Sequence, residues 1–163
     1  MSKKTIWEQS RAIDNPLIRK LLQRDRSGAL GTYMAKNLLI DDEWDPSKLG
    51  VADVARTYDE AQSMLSRGGW DIVYLDNDLG PGQKEGCDIL NWLMYELEES
   101  KWPDGFVVFT ANNQARPRME SKFRAIGFAP SGKDRLGHVV WRKAATGASR
   151  VVEAHLRELI HGQ

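Results

Sequence analysis

Five short apolar segments, separated by stretches with helical periodicity, constrain the fold of this chain more than any other feature. They lie at residues 37–40, 51–56, 71–76, 105–110 and 138–141. Because strands that alternate with helices build a sheet with helices on both faces, the pattern predicts an α/β fold with a doubly wound, five-stranded parallel sheet. Right-handed crossovers would bring the C-terminal ends of all five strands to one edge, where such folds bind their ligands.

Capping residues and apolar spacing mark the helices between these strands. Thr57 and Glu60 have the spacing of a capping box, which predicts that a helix begins after the second strand. Apolar residues at helical spacing predict two further helices, one after the Gly/Pro-rich loop at 79–86 and one that begins near Arg116. The same spacing predicts a last helix at 151–160.

Residues 1–36 precede the first strand and are predicted to form an N-terminal helical extension. Asn15 and Pro16 suit a helix start, with Asn as the N-cap and Pro at the first helical position, and an apolar stripe at helical spacing follows. We therefore predict two parts, an extension at 1–36 and an α/β domain at 37–163. The stripe either packs against the domain or forms a surface for a protein partner or a second copy of the chain.

The composition is that of a globular protein. A length of 163 residues with 41% hydrophobic content suits one domain and excludes wholesale disorder. No apolar run approaches the roughly 18 residues of a membrane helix, and the chain begins with polar sequence of no signal-peptide type. The single cysteine, Cys87, excludes a disulfide framework and a multi-cysteine zinc site. We therefore expect a cytoplasmic protein with no membrane contact.

The net charge is zero, but the charge is unevenly distributed along the chain. Residues 1–36 hold 8 Lys and Arg against 3 Asp and Glu, residues 41–104 hold 5 against 16, and residues 105–163 hold 10 against 4. An acidic middle favours a hard cation, whereas basic ends favour a phosphate or a nucleic acid. The alternative is that folding brings these blocks together and they neutralise one another.

Polar side chains follow four of the predicted strands at the shared edge. Asp41 and Asp42 follow the first strand, Asp76 ends the third, Thr110 ends the fourth, and Lys143 follows the fifth. Carboxylate oxygens suit Mg²⁺, which in turn can neutralise a phosphoryl group. A hydroxyl and an ammonium can each hold a further phosphoryl oxygen. The pattern therefore predicts a Mg²⁺-dependent phosphoryl site, the alternative being that solvated acids merely end the sheet.

Other polar residues near this edge are further candidates for phosphate contacts. Arg116 and Arg118 follow the fourth strand, and a guanidinium matches a phosphate dianion, although both could be solvated in a first helical turn. Asn112 either orients a ligand or caps the turn before that helix. Lys133 begins a charged run at 133–135 in a Gly-flanked loop, where the run is either solvated or in contact with nucleic acid.

Three of the predicted strands, taken with the residues that follow them, resemble the receiver domains of response regulators, which have a flavodoxin-like architecture. In that family, paired acids bind Mg²⁺, the acid that ends the third strand accepts phosphate, and a Thr or Ser and a Lys contact the phosphoryl group. The resemblance implies that Asp41 and Asp42 are metal ligands and that Asp76 is the acceptor. It also implies Thr110 as the switch hydroxyl and Lys143, or else Lys133, as the lysine. The segments are Leu39-Ile40-Asp41-Asp42-Glu43, Asp71-Ile72-Val73-Tyr74-Leu75-Asp76 and Val107-Val108-Phe109-Thr110-Ala111.

The chain is more similar still to the cyclic-phosphate processing receiver domains, over about residues 37–120. That family is proposed to process cyclic phosphates in RNA-linked settings, which implies a phosphate-bearing small molecule or a phosphodonor as the partner and Mg²⁺ as the cofactor. The resemblance adds Asp78 to the expected metal ligands, and Asn77 and Asn112 to the expected phosphate contacts. The matching motifs are Asp41-Asp42-Glu43, Ala55-Arg56-Thr57-Tyr58-Asp59-Glu60-Ala61, Leu75-Asp76-Asn77-Asp78-Leu79-Gly80, Glu85-Gly86-Cys87-Asp88 and Phe109-Thr110-Ala111-Asn112.

Two positions depart from that family. Asn77 and Phe109 stand where its members have histidines, and neither Asn nor Phe can shuttle a proton. The three histidines present, His138, His155 and His161, lie in the C-terminal third, where a strand start or a helix face is the simpler interpretation. Whether the chain is an enzyme is therefore left open. The two hypotheses are a Mg²⁺-dependent phosphoryl module and a catalytically inactive pseudo-receiver that binds a protein or a nucleic acid.

Overall fold

The computed structural model of the chain describes residues 35–144. The two ends of the chain, residues 1–34 and 145–163, lie outside the described residues. The N-terminal extension, its boundary with the α/β domain after residue 36 and the last helix therefore stay predictions. No helix in the described part of the chain is long and apolar enough to cross a membrane.

Six strands form one sheet in the order β2-β1-β3-β4-β6-β5. Three α-helices connect them, each after one of the strands β2, β3 and β4. The strands are β1 (Leu38–Ile40), β2 (Asp53–Ala55), β3 (Ile72–Leu75), β4 (Gly105–Val108), β5 (Phe128–Lys133) and β6 (Val139–Lys143). The helices are α1 (Tyr58–Ser66), α2 (Gly86–Tyr95) and α3 (Ala115–Ala125).

Local sequence fixes where the first two helices begin. The hydroxyl oxygen of Thr57 accepts the backbone N–H of Glu60 at 3.2 Å, so the capping residue predicted for α1 is confirmed. α2 begins at Gly86, where a Cβ atom would lie 2.1 Å from the backbone oxygen of Asp76. Only glycine fits this close approach, which packs the start of α2 directly against the end of β3.

Alternate strand residues build two apolar clusters, one on each face of the sheet. On the first face, buried residues such as Ile40, Val73 and Phe106 pack against all three helices. The second face carries a separate cluster, whose buried members are Leu39, Leu49, Val51, Tyr74, Val107 and Val140. Among residues 35–144, α-helices pack on the first face alone, so this part of the chain does not test the prediction of helices on both faces.

The predicted five-stranded parallel sheet is wrong at its last strand. β1 to β4 are parallel neighbours, but β6 runs antiparallel to both β4 and β5. The reason is a tight turn in which the Asp134 carboxylate accepts the backbone N–H groups of Leu136 and His138 at 2.9 and 2.8 Å. Such a short connection cannot cross over the sheet, so the chain reverses as a hairpin. No strand was predicted at β5, because Phe128 is its one buried residue and no apolar run marks it.

This reversal moves Lys143 away from the predicted ligand edge. Lys143 ends β6 beside the start of β4, where Gly105 pairs with Arg142, and so it lies at the opposite edge of the sheet. There it forms an ion pair with Glu99. Lys133 ends β5 at the ligand edge, but β6 separates it from β4.

Candidate metal and phosphate site

The parallel strands end level with one another and bring their next residues together. The N–H of Asp76 donates to the carbonyl of Ile40 at 2.9 Å, and the N–H of Phe109 donates to that of Leu75 at 2.9 Å, so the ladders continue past each strand. Asp41, Asp76 and Phe109 therefore lie side by side. Because side chains alternate along a strand, all three continue the second face of the sheet.

Three carboxylates form a compact acidic cluster at this edge. Asp41, Asp42 and Asp76 each offer one oxygen, and the three oxygens lie within 4.8 Å of one another. Asp41 is buried, with 6% of its surface exposed. Carboxylates this close repel one another unless a cation or a proton intervenes. An all-oxygen donor set of this kind fits Mg²⁺, so the residues present suit the metal that the sequence predicted.

Hydrogen bonds hold the loop that carries Asp41. One oxygen of its carboxylate accepts the backbone N–H groups of Glu43 and Trp44 at 2.8 and 2.7 Å. The guanidinium of Arg56 donates to the backbone carbonyls of Asp41 and Trp44 at 3.0 and 2.8 Å. Arg56 therefore holds the loop that carries Asp41. Arg56 was not predicted as a site residue. Its place directly after β2, the strand beside β1, was the signal available in the sequence.

Asp76 is held by donors on two sides. Its carboxylate accepts the backbone N–H of Asn77 at 2.6 Å and a hydrogen bond from Thr110. Burial raises the pKa of Asp76, these hydrogen bonds oppose the rise, and the charge of Asp41 adds to it. The net result is a pKa of Asp76 above its ordinary value. The hydrogen-bond donors therefore do not fully offset the cost of burying the ionised carboxylate. The structure thus brings Thr110 to Asp76.

The loop after β3 borders the cluster and carries the predicted ligand Asp78. Gly80 has φ +93°, and a Cβ atom there would lie 2.9 Å from a carboxylate oxygen of Asp42, so the loop after β3 closes on that carboxylate. Asp78 is exposed and lies outside the cluster of mutually close oxygens. Its carboxylate instead accepts the side-chain amides of Asn112 and Asn77 at 3.2 and 3.3 Å.

The amide of Asn77 is engaged within the fold. Asn77 is fully buried, its side-chain oxygen accepts the N–H of Cys87 at 3.3 Å, and its amide nitrogen donates to Asp78. Asn112 is similar, since its side-chain oxygen accepts the N–H groups of Gln114 and Ala115 at the start of α3. Both residues therefore hold loops of the site.

The two predicted arginines differ in their placement. The guanidinium of Arg116 donates to the backbone carbonyl of Thr110 at 3.1 Å and so supports the end of β4. Arg118 is half exposed and lies 3.5 Å from a carboxylate oxygen of Glu85, between α2 and α3. Arg116 thus lies at the ligand edge and holds the backbone there. Arg118 instead contacts Glu85 at the start of α2.

Aromatic rings line the second face next to the carboxylates. The ring of Phe109 lies 5.2 Å from that of Trp44, 6.1 Å from that of Tyr74 and 5.6 Å from that of His138, measured between centroids. His138 is at this edge because β6 begins where β4 ends. His138 was not predicted at this edge, because a parallel last strand would have placed its start at the other edge.

The comparisons with known proteins agree with this geometry. A family profile described as "Cyclic-phosphate processing Receiver domain" matches residues 36–125, from two residues before β1 to the end of α3. No curated protein and no solved structure matches the chain. The matched segment spans more than half of the chain and contains the whole acidic cluster, so the chain belongs to the cyclic-phosphate processing receiver domain family.

Proposed function

We propose that this chain binds Mg²⁺ through Asp41, Asp42 and Asp76 and holds a phosphate-bearing ligand at the same edge of the sheet. The observation that carries the proposal is the cluster of three carboxylate oxygens within 4.8 Å of one another. Bound Mg²⁺ would supply the positive charge that balances both the carboxylates and a phosphoryl group. The hydroxyl of Thr110, which donates to Asp76 here, would turn its one proton to a phosphoryl oxygen when the ligand binds.

Asp76 can take one of two roles in such a site. As an acceptor, its carboxylate oxygen would attack the phosphorus of a small acyl phosphate, and the carboxylate of the donor would leave. As a metal ligand alone, it would help to bind a cyclic phosphate while another group activates water. The hydrogen bonds from Asn77 and Thr110 fix the Asp76 carboxylate for either role.

A second candidate function is that of a pseudo-receiver, which keeps the fold and binds a protein or a nucleic acid without catalysis. Asn77 and Phe109 favour it, because the first is fully buried with both amide atoms engaged and the second packs among aromatic rings. Neither can carry a proton. The partner would then bind at residues 1–36, as a protein or a second copy of the chain, or at the basic residues of 105–163.

Mass spectrometry and phosphorus NMR together distinguish these functions. The wild type, Asp76→Asn and the exposed-acid control Asp59→Asn are incubated with Mg²⁺ and acetyl phosphate, and their intact masses are measured. A phosphoryl adduct on the wild type and the control alone supports the acceptor role. Opening of a 2′,3′-cyclic nucleotide in ³¹P spectra supports an enzyme. Mg²⁺ binding with neither an adduct nor turnover favours the pseudo-receiver.

We also propose that the protein works in the cytoplasm. Its one cysteine, Cys87, is buried without a disulfide partner. Burial raises the pKa of its thiol, and a protonated thiol packed in a core suits a reducing compartment. Fractionation of cells that express the full chain tests this, since recovery from a membrane or secreted fraction would contradict it.

A further inference from the structure

The strand next to β4 places a histidine level with the acidic cluster. Gly105 pairs with Arg142 and Phe106 with Trp141, and the same antiparallel register, continued past β4, sets Phe109 opposite His138. Their ring centroids are 5.6 Å apart, as such neighbours require. Asp76, Phe109 and His138 thus occupy successive strands, and two strand spacings, about 10 Å, separate the backbones of Asp76 and His138.

The hairpin that carries His138 is joined to the loop that carries the acids. The guanidinium of Arg135, in the hairpin turn, donates to the backbone carbonyl of Leu49 at 2.9 Å. Leu49 and Val140 belong to the same apolar cluster on the second face, and Trp44 reaches Phe109 on that face. The two loops therefore border the same end of the second face, with Phe109 between them.

A nearly buried carboxylate fixes the imidazole of His138. The side chain of Asp134 is 5% exposed and lies 2.9 Å from Nδ1 of His138. The phenol of Tyr74 donates to the same carboxylate oxygen at 2.9 Å. Burial raises the pKa of Asp134, but the hydrogen bonds from His138, Tyr74 and Leu136 outweigh it, so that pKa lies below its ordinary value. An ionised carboxylate can only accept, so Nδ1 carries the proton.

The other ring nitrogen is left for a ligand. Within residues 35–144, Nε2 of His138 has no hydrogen-bond partner, and one third of the side chain is exposed. The other titratable or charged groups of this cluster are Tyr74, which donates to Asp134, and Arg135, which donates to Leu49. An imidazole held by a carboxylate at one nitrogen contacts ligands through the other.

We propose that His138, as an imidazolium with a proton on each ring nitrogen, donates from Nε2 to the phosphoryl group of the bound ligand, and that Asp134 is its positioning residue. This inference rests on the proposed Mg²⁺-dependent phosphate site. His138 then occupies the place on the strand beside β4 that was predicted for Lys143, because the antiparallel direction of β6 brings the start of that strand to the site. It also returns an imidazole to the site, where Asn77 and Phe109 provide none.

Nitrogen NMR of the imidazoles tests this proposal directly, because the full chain has only three histidines. Uniformly ¹⁵N-labelled protein with saturating Mg²⁺ is titrated with inorganic phosphate, and His138→Gln assigns the resonance. We expect a saturable shift of Nε2 of His138. We also expect His138→Gln to weaken Mg²⁺-dependent phosphate binding by about tenfold, the loss of one charge-assisted hydrogen bond. The control His155→Gln keeps the wild-type affinity.

Asp134→Asn separates positioning from simple packing. It should shift the Nδ1 resonance of His138 before any phosphate is added and weaken phosphate binding less than His138→Gln does. Urea unfolding of each variant checks that it folds. If His138→Gln fails to fold, His155→Gln and His161→Gln assign the His138 resonance by elimination, and the wild-type titration decides the question.

Three outcomes would count against the inference or its basis. Phosphate binding that leaves Nε2 of His138 unshifted overturns the inference and leaves the proposed function intact. A shift of the same size in Asp76→Asn without Mg²⁺ overturns the assignment of His138 to this site. Absence of Mg²⁺ binding by the wild type overturns the proposed function itself, and the inference with it.

Discussion

Phe109 and His138 face each other across neighbouring strands, with their ring centroids 5.6 Å apart and their planes at 83°. This edge-to-face geometry is a favourable one for aromatic rings. It exists because β6 is antiparallel to β4, so the first residues of β6 meet the last residues of β4. The direction of a single strand thus decides which side chain lies beside the acidic cluster.

Gly86→Ala should disturb the site through the backbone of Asp76. The new Cβ atom would lie 2.1 Å from the Asp76 carbonyl oxygen, so α2 and the end of β3 must move apart. We expect a loss of about 2 kcal/mol in the free energy of unfolding and weaker Mg²⁺ binding. Urea unfolding and calorimetry measure both quantities.

Gly127→Ala is the matched control for that prediction. Gly127 has φ +82°, and no neighbouring atom lies within 4 Å of the position that a Cβ atom would take. Its substitution therefore carries only the backbone cost of about 1 kcal/mol. Mg²⁺ affinity should be unchanged. Equal effects of the two substitutions on Mg²⁺ binding would refute the proposed close approach at Gly86.

Arg56→Gln should weaken Mg²⁺ binding, although it changes none of the three carboxylates that are proposed to bind the metal. It removes both hydrogen bonds from the guanidinium to the carbonyls of Asp41 and Trp44. Residues that hold a metal ligand in place typically contribute about tenfold to affinity, and we expect a loss of that size by calorimetry. Arg67→Gln, on an exposed residue after α1, should bind as the wild type does. A wild-type affinity in Arg56→Gln would exclude this positioning role.

Tyr74 should titrate far into the alkaline range. Burial, followed by the hydrogen bond to Asp134, raises the pKa of Tyr74 from its ordinary value of 10.0 to about 12. The folded state therefore favours the neutral phenol, and this contribution to stability is complete below pH 10 and is lost as the pH rises towards 12. The stability difference between the wild type and Tyr74→Phe should shrink over that window in urea unfolding. A constant difference would contradict the assignment.

Asp76 should make the metal-free protein less stable as the pH rises. Because burial places its folded-state pKa above the ordinary value, the folded state favours the protonated carboxyl. That contribution is present below the unfolded-state pKa and is lost as the pH rises through the folded-state pKa. With a chelator present, Asp76→Asn should therefore gain stability relative to the wild type from about pH 4 upward. Urea unfolding across the range checks this, and a pH-independent difference would exclude it.

Much of the fold could be predicted from local pattern, because β1 to β4 are short apolar runs and a helix follows each of β2, β3 and β4. The capping residue Thr57 predicted the start of α1. Asp41, Asp42 and Asp76 predicted the edge at which the parallel strands end. The hairpin could not be predicted in this way. β5 is mostly exposed, so it lacks the apolar run that identifies the other strands.

The parts of the site that sequence could not provide depend on long-range geometry. Asn77 and Asn112 carry the polar groups that a ligand contact needs, yet their amides hold the loops on either side of Asp78. Arg116 similarly supports the carbonyl of Thr110. Residue type and spacing cannot distinguish such internal hydrogen bonds from contacts with a ligand.

Calorimetric titration with Mg²⁺ tests the central claim most directly. Three proteins are compared: the wild type, Asp76→Asn and the control Asp59→Asn. Asp59 is an exposed acid in the first turn of α1. The tryptophan emission of the protein gives a second readout, because Trp44, one of its six tryptophans, is 43% exposed and donates its backbone N–H to Asp41. The account predicts saturable binding by the wild type and Asp59→Asn and at least about tenfold weaker binding by Asp76→Asn. Equal binding by all three, or none by the wild type, would contradict it.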